Sequence, residues 1–187
     1  PEALRRHIDT LLKPTVKWNV ILRPWMRRVN KGNKKTYRRI NRRFSDEIIR
    51  PTYQSDALKT GAIISDVSGS ISEEQWQAFT SEAWHVLKNN RFEKIWFGQF
   101  DTKFTVEAVK DEKEFLAVPF TGGGGTNPTP ALEWCLEERP DWVVIFTDGY
   151  FRDVELRLPM PVVWIVHSND KWRQPFGKKI IYELPTL

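Results

Sequence analysis

The chain has 187 residues, enough for one α/β domain with a sizeable core and short for two. Hydrophobic residues make up 40%, which excludes a disordered chain, and no apolar run approaches the ~20 residues that a membrane-spanning helix needs. The net charge of +5 is unevenly spread: residues 1–60 hold 16 Lys and Arg against 5 Asp and Glu, and residues 61–187 hold 13 against 19.

Residues 1–12 place Leu4, Ile8, Leu11 and Leu12 on one helical face. Pro14 can open a second helix carrying Trp18, Leu22, Trp25 and Val29, which Pro24 should kink. A turn is expected at Lys31-Gly32-Asn33, and residues 34–60 read as an extended basic lead-in with little regular structure. Arg23 to Arg43 contains ten basic residues and no acid. Such a segment is a solvated face, a strap onto the acidic remainder or a nucleic-acid contact, and the last would bind with strong salt dependence.

From Gly61 the texture changes. Gly61–Ser65 is a short apolar run without alternation, as expected of a strand buried on both faces. Ser72 and Gln75 sit at capping-box spacing, and Trp76, Phe79, Ala83, Val86 and Leu87 give the helix that follows one apolar face. Lys94–Phe100 reads as a second strand and Phe104–Val109 alternates like a half-exposed third; the short link at Asp101 makes the pair antiparallel. A short helix over Glu112–Val118, a glycine loop at Thr121–Thr126 and a helix from about Thr129 to Glu138 come next. Trp142–Thr147, Val162–Val166 and Lys179–Tyr182 complete the strands. The alternation implies an α/β, three-layer, doubly wound and mainly parallel sheet with one antiparallel edge strand, over residues 61–187, behind a basic helical extension over residues 1–60. The nine tryptophans fall in apolar runs and helix-like stretches, which points to core packing. The single cysteine, Cys135, reads as a buried, inert thiol in a reducing compartment, and a cytoplasmic location is expected. Pro1 is not a natural start, so the chain is expected to be a fragment.

Three loops carry the chemistry. Asp66-Val67-Ser68-Gly69-Ser70 follows the first buried strand, Asp148 follows the fourth, and Thr126 lies in the glycine loop between them. Doubly wound sheets bind ligands at the carboxyl ends of strands, where the strand order reverses. If the first and fourth strands are neighbours, Asp66, Ser68, Ser70, Thr126 and Asp148 share one crevice. Two carboxylates and three hydroxyls are hard ligands that suit Mg2+, with Mn2+ or Ca2+ as alternatives, and argue against zinc or copper. With so few carboxylates the ion would keep positive charge and waters, one of which an Asp or Glu of a partner protein could replace. Asp101 is either an outer contact of the same site or an ordinary hairpin residue.

This pattern resembles the metal-ion-dependent adhesion site of von Willebrand factor A-like (VWA-like) domains. The resemblance implies that Ser68 and Ser70 bind the metal directly, that Asp66 and Thr126 do so directly or through water, and that Asp148 acts through water. Trp18 with Leu22, Arg42-Arg43-Phe44, Gly122–Thr126, Thr147-Asp148-Gly149, Val163-Trp164-Ile165 and Pro175-Phe176-Gly177 further resemble the VWA-like C-terminal half of bacterial and phage metallopeptidase-like proteins. That likeness implies a MoxR-type AAA+ ATPase as a partner and a zinc peptidase motif in a separate N-terminal half. This chain has only His7, His85 and His167 and no His-Glu-x-x-His, so it is expected not to be an enzyme in itself.

Other readings are weaker. A phosphate-cradling P-loop needs Lys followed by Ser or Thr after its glycines, where this chain has Thr126-Asn127-Pro128. A serine hydrolase lacks its Gly-x-Ser-x-Gly elbow. The expected function is therefore a metal-dependent protein-interaction module, with nucleic-acid binding through the basic extension and a metal-dependent hydrolase as the alternatives.

Overall fold

The computed structural model describes residues 60–71, 76, 79–80, 83–84, 94–110, 114–115, 118–119 and 122–182, together with 35–36 and 52–53. The two N-terminal helices and the turn expected before residue 34 lie outside the described residues. Within the basic lead-in, β1 (Lys35–Thr36) and β2 (Thr52–Tyr53) form a short antiparallel ladder. That is more regular structure than the weak periodicity of residues 34–60 suggests, because a two-residue ladder is too short to leave a hydrophobic pattern.

The remaining strands are β3 (Thr60–Asp66), β4 (Lys94–Phe100), β5 (Phe104–Val109), β6 (Trp142–Thr147), β7 (Val162–His167) and β8 (Lys178–Tyr182). They form one six-stranded sheet in the order β5-β4-β3-β6-β7-β8, parallel throughout except for β5, which pairs antiparallel with β4. The chain winds outward from β3 to β4 and β5, then crosses back to β6 and continues the other way. The order therefore reverses between β3 and β6, which pair directly with Ser65 opposite Phe146.

Both faces of the inner strands are buried, so their residues are apolar without alternation. Successive side chains point to opposite faces and feed two cores. One gathers Ile63, Phe97, Val144 and Phe146 under the helical residues Phe79 and Ala83 and under Phe115. The other gathers Ala62, Ile64, Ile145 and Trp164 under the helix α1 (Thr129–Glu138), which contributes Ala131, Leu132 and Cys135. β5 forms one edge of the sheet and exposes alternate residues, as its pattern predicts.

α1 begins after Pro128, and Asn127 Oδ1 accepts from the Thr129 amide at 3.1 Å. It ends where Arg139 turns left-handed (φ 51°), its amide donating to the Cys135 carbonyl, and Pro140 prevents any continuation. Of the seven tryptophans whose burial is described none is exposed, and Trp142 and Trp164 are completely buried. No helix among the described residues is long and apolar enough to cross a membrane.

Candidate metal centre

The carboxyl ends of β3 and β6 stop being apolar at the same level. Ser65 and Asp66 end β3, Thr147 ends β6, and Asp148 follows it; all four are buried, Asp66 completely. Buried polar groups are costly unless paired, and here each is. Asp66 Oδ1 accepts from the Ser68 amide at 3.0 Å, and Oδ2 accepts from the Thr147 hydroxyl at 2.7 Å. Thr147 Oγ1 in turn accepts from the Gly149 amide at 3.0 Å. Asp66 is thus held from its own loop and from the neighbouring strand.

The loop after β3 turns tightly, the Ile71 amide donating to the Ser68 carbonyl at 2.9 Å. This turn presents two hydroxyls to Asp148. Ser68 Oγ lies 3.1 Å from Ser70 Oγ, and Ser70 Oγ donates to Asp148 Oδ2 at 2.5 Å. Asp148 is fixed by the Tyr150 amide, which donates to its Oδ1 at 3.0 Å, while its carbonyl accepts from Asn169 Nδ2 at 2.9 Å.

Burial pushes the Asp66 carboxyl above its ordinary 3.8, and the nearby Asp148 charge adds to that; hydrogen bonds from Thr147 and Ser68 oppose it, and among the described residues no cationic side chain offsets it.

The glycine loop closes over this arrangement through its backbone. The Gly69 amide donates to the Gly124 carbonyl at 3.0 Å, and the Gly123 amide donates to the Val67 carbonyl at 3.1 Å. Two of the glycines have a reason: a Cβ on Gly124 would sit 2.9 Å from Asp101 Oδ2, and Gly123 adopts φ +130°, which side chains rarely tolerate. Thr126, half-buried, follows two residues beyond that contact. Of the five residues read from the sequence, Ser68, Ser70 and Asp148 form one chain of contacts, Asp66 lies behind them on the Ser68 amide and Thr147, and the loop of Thr126 is tied to the Asp66 loop by two backbone hydrogen bonds.

Asp101 serves the hairpin. Its Oδ1 accepts from the Lys103 amide at 2.7 Å, and its carbonyl accepts from the Asn127 amide at 2.6 Å, which pins the far end of the glycine loop. His167 ends β7 with its ring 6.2 Å from that of Phe79, edge-on, and 3.4 Å from Ser168 Oγ. His85 lies outside the described residues.

Sequence reasoning missed Thr147 and Asn169 as positioning residues. Thr147 left a signal, as the one hydroxyl at the end of an otherwise wholly apolar strand. Asn169 left none, because it reaches Asp148 across 21 residues.

The donor set fits a hard cation. Around an octahedral Mg2+ with oxygens at ~2.05 Å, neighbouring ligands stand about 2.9 Å apart, close to the 3.1 Å between the two serine hydroxyls. Among the described residues no three His, Cys, Asp or Glu side chains gather as a metal site, so a cation here would depend on the serine hydroxyls and on waters as well as on Asp66 and Asp148.

The family comparison agrees with the topology. The model of the VWA-like domain family DUF2201 matches residues 62–183. The chain belongs to that family. The chain is also 29% identical over 153 residues to an uncharacterized protein of Thermotoga maritima, an alignment covering 80% of this chain and 38% of that protein. The chain thus spans well under half the length of that relative. A crystal structure of an aerotolerance-related membrane protein from Bacteroides fragilis is similar with a TM-score of 0.47 and 12% identity, over 58% of this chain and 67% of that one. VWA-like domains generally serve as protein-interaction modules rather than catalysts.

Proposed function

We propose that the VWA-like domain holds one divalent cation, Mg2+ before Mn2+ or Ca2+, at Asp66, Ser68, Ser70, Thr126 and Asp148, and that the cation captures an Asp or Glu side chain of a partner protein. The observation that carries this reading is the continuous run of oxygens from Ser68 through Ser70 to Asp148, at the point where the strand order reverses. Asp66, Ser68, Ser70, Thr126 and Asp148 would hold the ion, directly or through water; the charge it keeps would attract the partner's carboxylate. Thr147, the Gly149 amide and Asn169 orient the two aspartates. The resemblance noted in the sequence names a MoxR-type AAA+ ATPase as one such partner; the charge of segment 1–60 suits a separate extension that straps onto the acidic remainder or onto a neighbouring half of a longer protein, or contacts nucleic acid.

Titration with Mg2+ tests the reading. An ion present at 100-fold its dissociation constant stabilises the fold by about 2.7 kcal/mol, which raises Tm by about 5–10 °C in a chain of this size. Wild type should show that rise and a saturable heat by calorimetry; Asp148→Ala and Ser70→Ala should show neither. A wild-type chain indifferent to Mg2+, Mn2+ and Ca2+, or one whose response survives both substitutions, would end the proposal.

A further inference from the structure

Beyond Asp148 the chain borders a cleft of about 460 Å3 between residues 151–157 and residues 172–175. Arg152, Arg157 and Arg173 all line it and all are exposed. Phe151 and Trp172 give it an aromatic wall: their rings stand edge-on 5.5 Å apart, and Trp172 is anchored in turn on the buried Trp164 at 5.4 Å. Asp153 and Glu155 complete the charged lining, so the cleft is net positive but mixed in sign.

The cleft and the candidate metal centre share their framework. Gly149 has φ +76°, and a Cβ there would lie 2.7 Å from the Trp172 ring, so the residue after Asp148 is packed against the cleft wall. Asn169 ties the two together, donating to the Asp148 carbonyl and accepting from the Trp172 amide at 3.1 Å. Phe151 is three residues from Asp148, hence within about 11 Å of it by chain reach. Tyr150 lies between them in sequence, 68% exposed, a large aromatic of the kind that anchors protein interfaces.

We infer that this cleft is the second half of the partner-binding surface and takes an acidic peptide segment, whose apolar side chain packs on Phe151 and Trp172 while its carboxylates meet Arg152, Arg157 and Arg173. The inference rests on the metal-site reading only in that the same segment supplies the carboxylate held by the cation. Arginine's planar fork matches a carboxylate in two parallel hydrogen bonds. Asp153 and Glu155 favour a peptide over a nucleic acid, because an unbroken run of phosphates would meet them, whereas a peptide can set neutral or basic residues opposite. The three exposed arginines would also steer an acidic partner toward the cleft.

Panning a random dodecapeptide display library against the 187-residue chain in Mg2+ tests this, followed by fluorescence anisotropy of the labelled consensus peptide. Arg152→Glu with Arg157→Glu changes two exposed residues and should leave the fold intact. The expected consensus carries at least two acids beside an apolar residue, and the double variant binds it at least tenfold more weakly. Loss in the double variant together with loss in chelator or in Ser70→Ala supports both readings. Loss in the double variant with binding unchanged by chelator keeps the cleft and removes the cation. Unchanged affinity in the double variant with loss in chelator overturns the cleft and spares the cation. A library without acidic enrichment, or tighter binding of a deoxythymidine dodecamer than of the consensus peptide, overturns the cleft as well.

Discussion

Strands β3 and β6 run side by side from end to end, yet their two halves follow opposite rules. Through Ala62–Ile64 and Val143–Phe146 every side chain is apolar and buried, and stability comes from area removed from water. One residue further on, burial is just as complete but the side chains are Ser65, Asp66 and Thr147, followed by Asp148. Between Ala62 and Ile64 and between Val143 and Phe146 no side chain carries a polar atom. The carboxyl end tolerates four polar residues because hydrogen bonds from two strands and their loops satisfy the carboxylates. Buried polarity of this kind is weak evidence for stability.

Breaking the apolar half should have the largest effect. Phe146 is 1% exposed with its ring 5.2 Å from Phe79, and Phe146→Ala should cost about 3–5 kcal/mol in urea unfolding while leaving any residual Mg2+ response in place. A loss below about 1 kcal/mol would mean that the core relaxes around the cavity.

At the polar end the expected loss is smaller but functional. Thr147→Val keeps the shape and removes both the donor to Asp66 and the acceptor for the Gly149 amide, so it should cost about 1.5–3 kcal/mol and weaken Mg2+ binding, with Thr147→Ser restoring both. Equal stability of the Val and Ser variants would show that Thr147 does not position Asp66.

Asp66 sharpens the contrast through pH. Its folded value is raised above the ordinary 3.8 by burial, so the folded state holds the proton more tightly than the unfolded chain does. Its contribution to stability is therefore full below 3.8 and is lost as pH rises through the folded value. In chelator, wild type should lose stability over that interval, and Asp66→Asn should lack that part of the slope; coincident urea midpoints against pH would contradict the assignment.

The smallest effect concerns Cys135, a buried residue of α1 whose thiol is pushed up to about 12 by burial. At pH 8 only roughly one thiol in ten thousand would be ionised, so the native chain should resist a thiol reagent that modifies it at once in denaturant. Rapid native labelling would show that α1 opens readily.

The sequence by itself determined the strands, their burial and the residue types of the candidate site. Unbroken apolar runs mark β3, β6 and β7, and the alternation in β5 marks an edge; these are local patterns, set by whether one face or two meet water. The same locality made Asp66, Ser68, Ser70 and Asp148 legible, since each follows a buried strand. Only the tertiary structure decided that β3 and β6 are neighbours, which is what brings Ser70 against Asp148 across 78 residues. It alone gave the Thr147 hydroxyl its partner in Asp66, supplied Asn169 as an orienting group and set Trp172 against Gly149, because those contacts join segments whose sequences carry no record of one another.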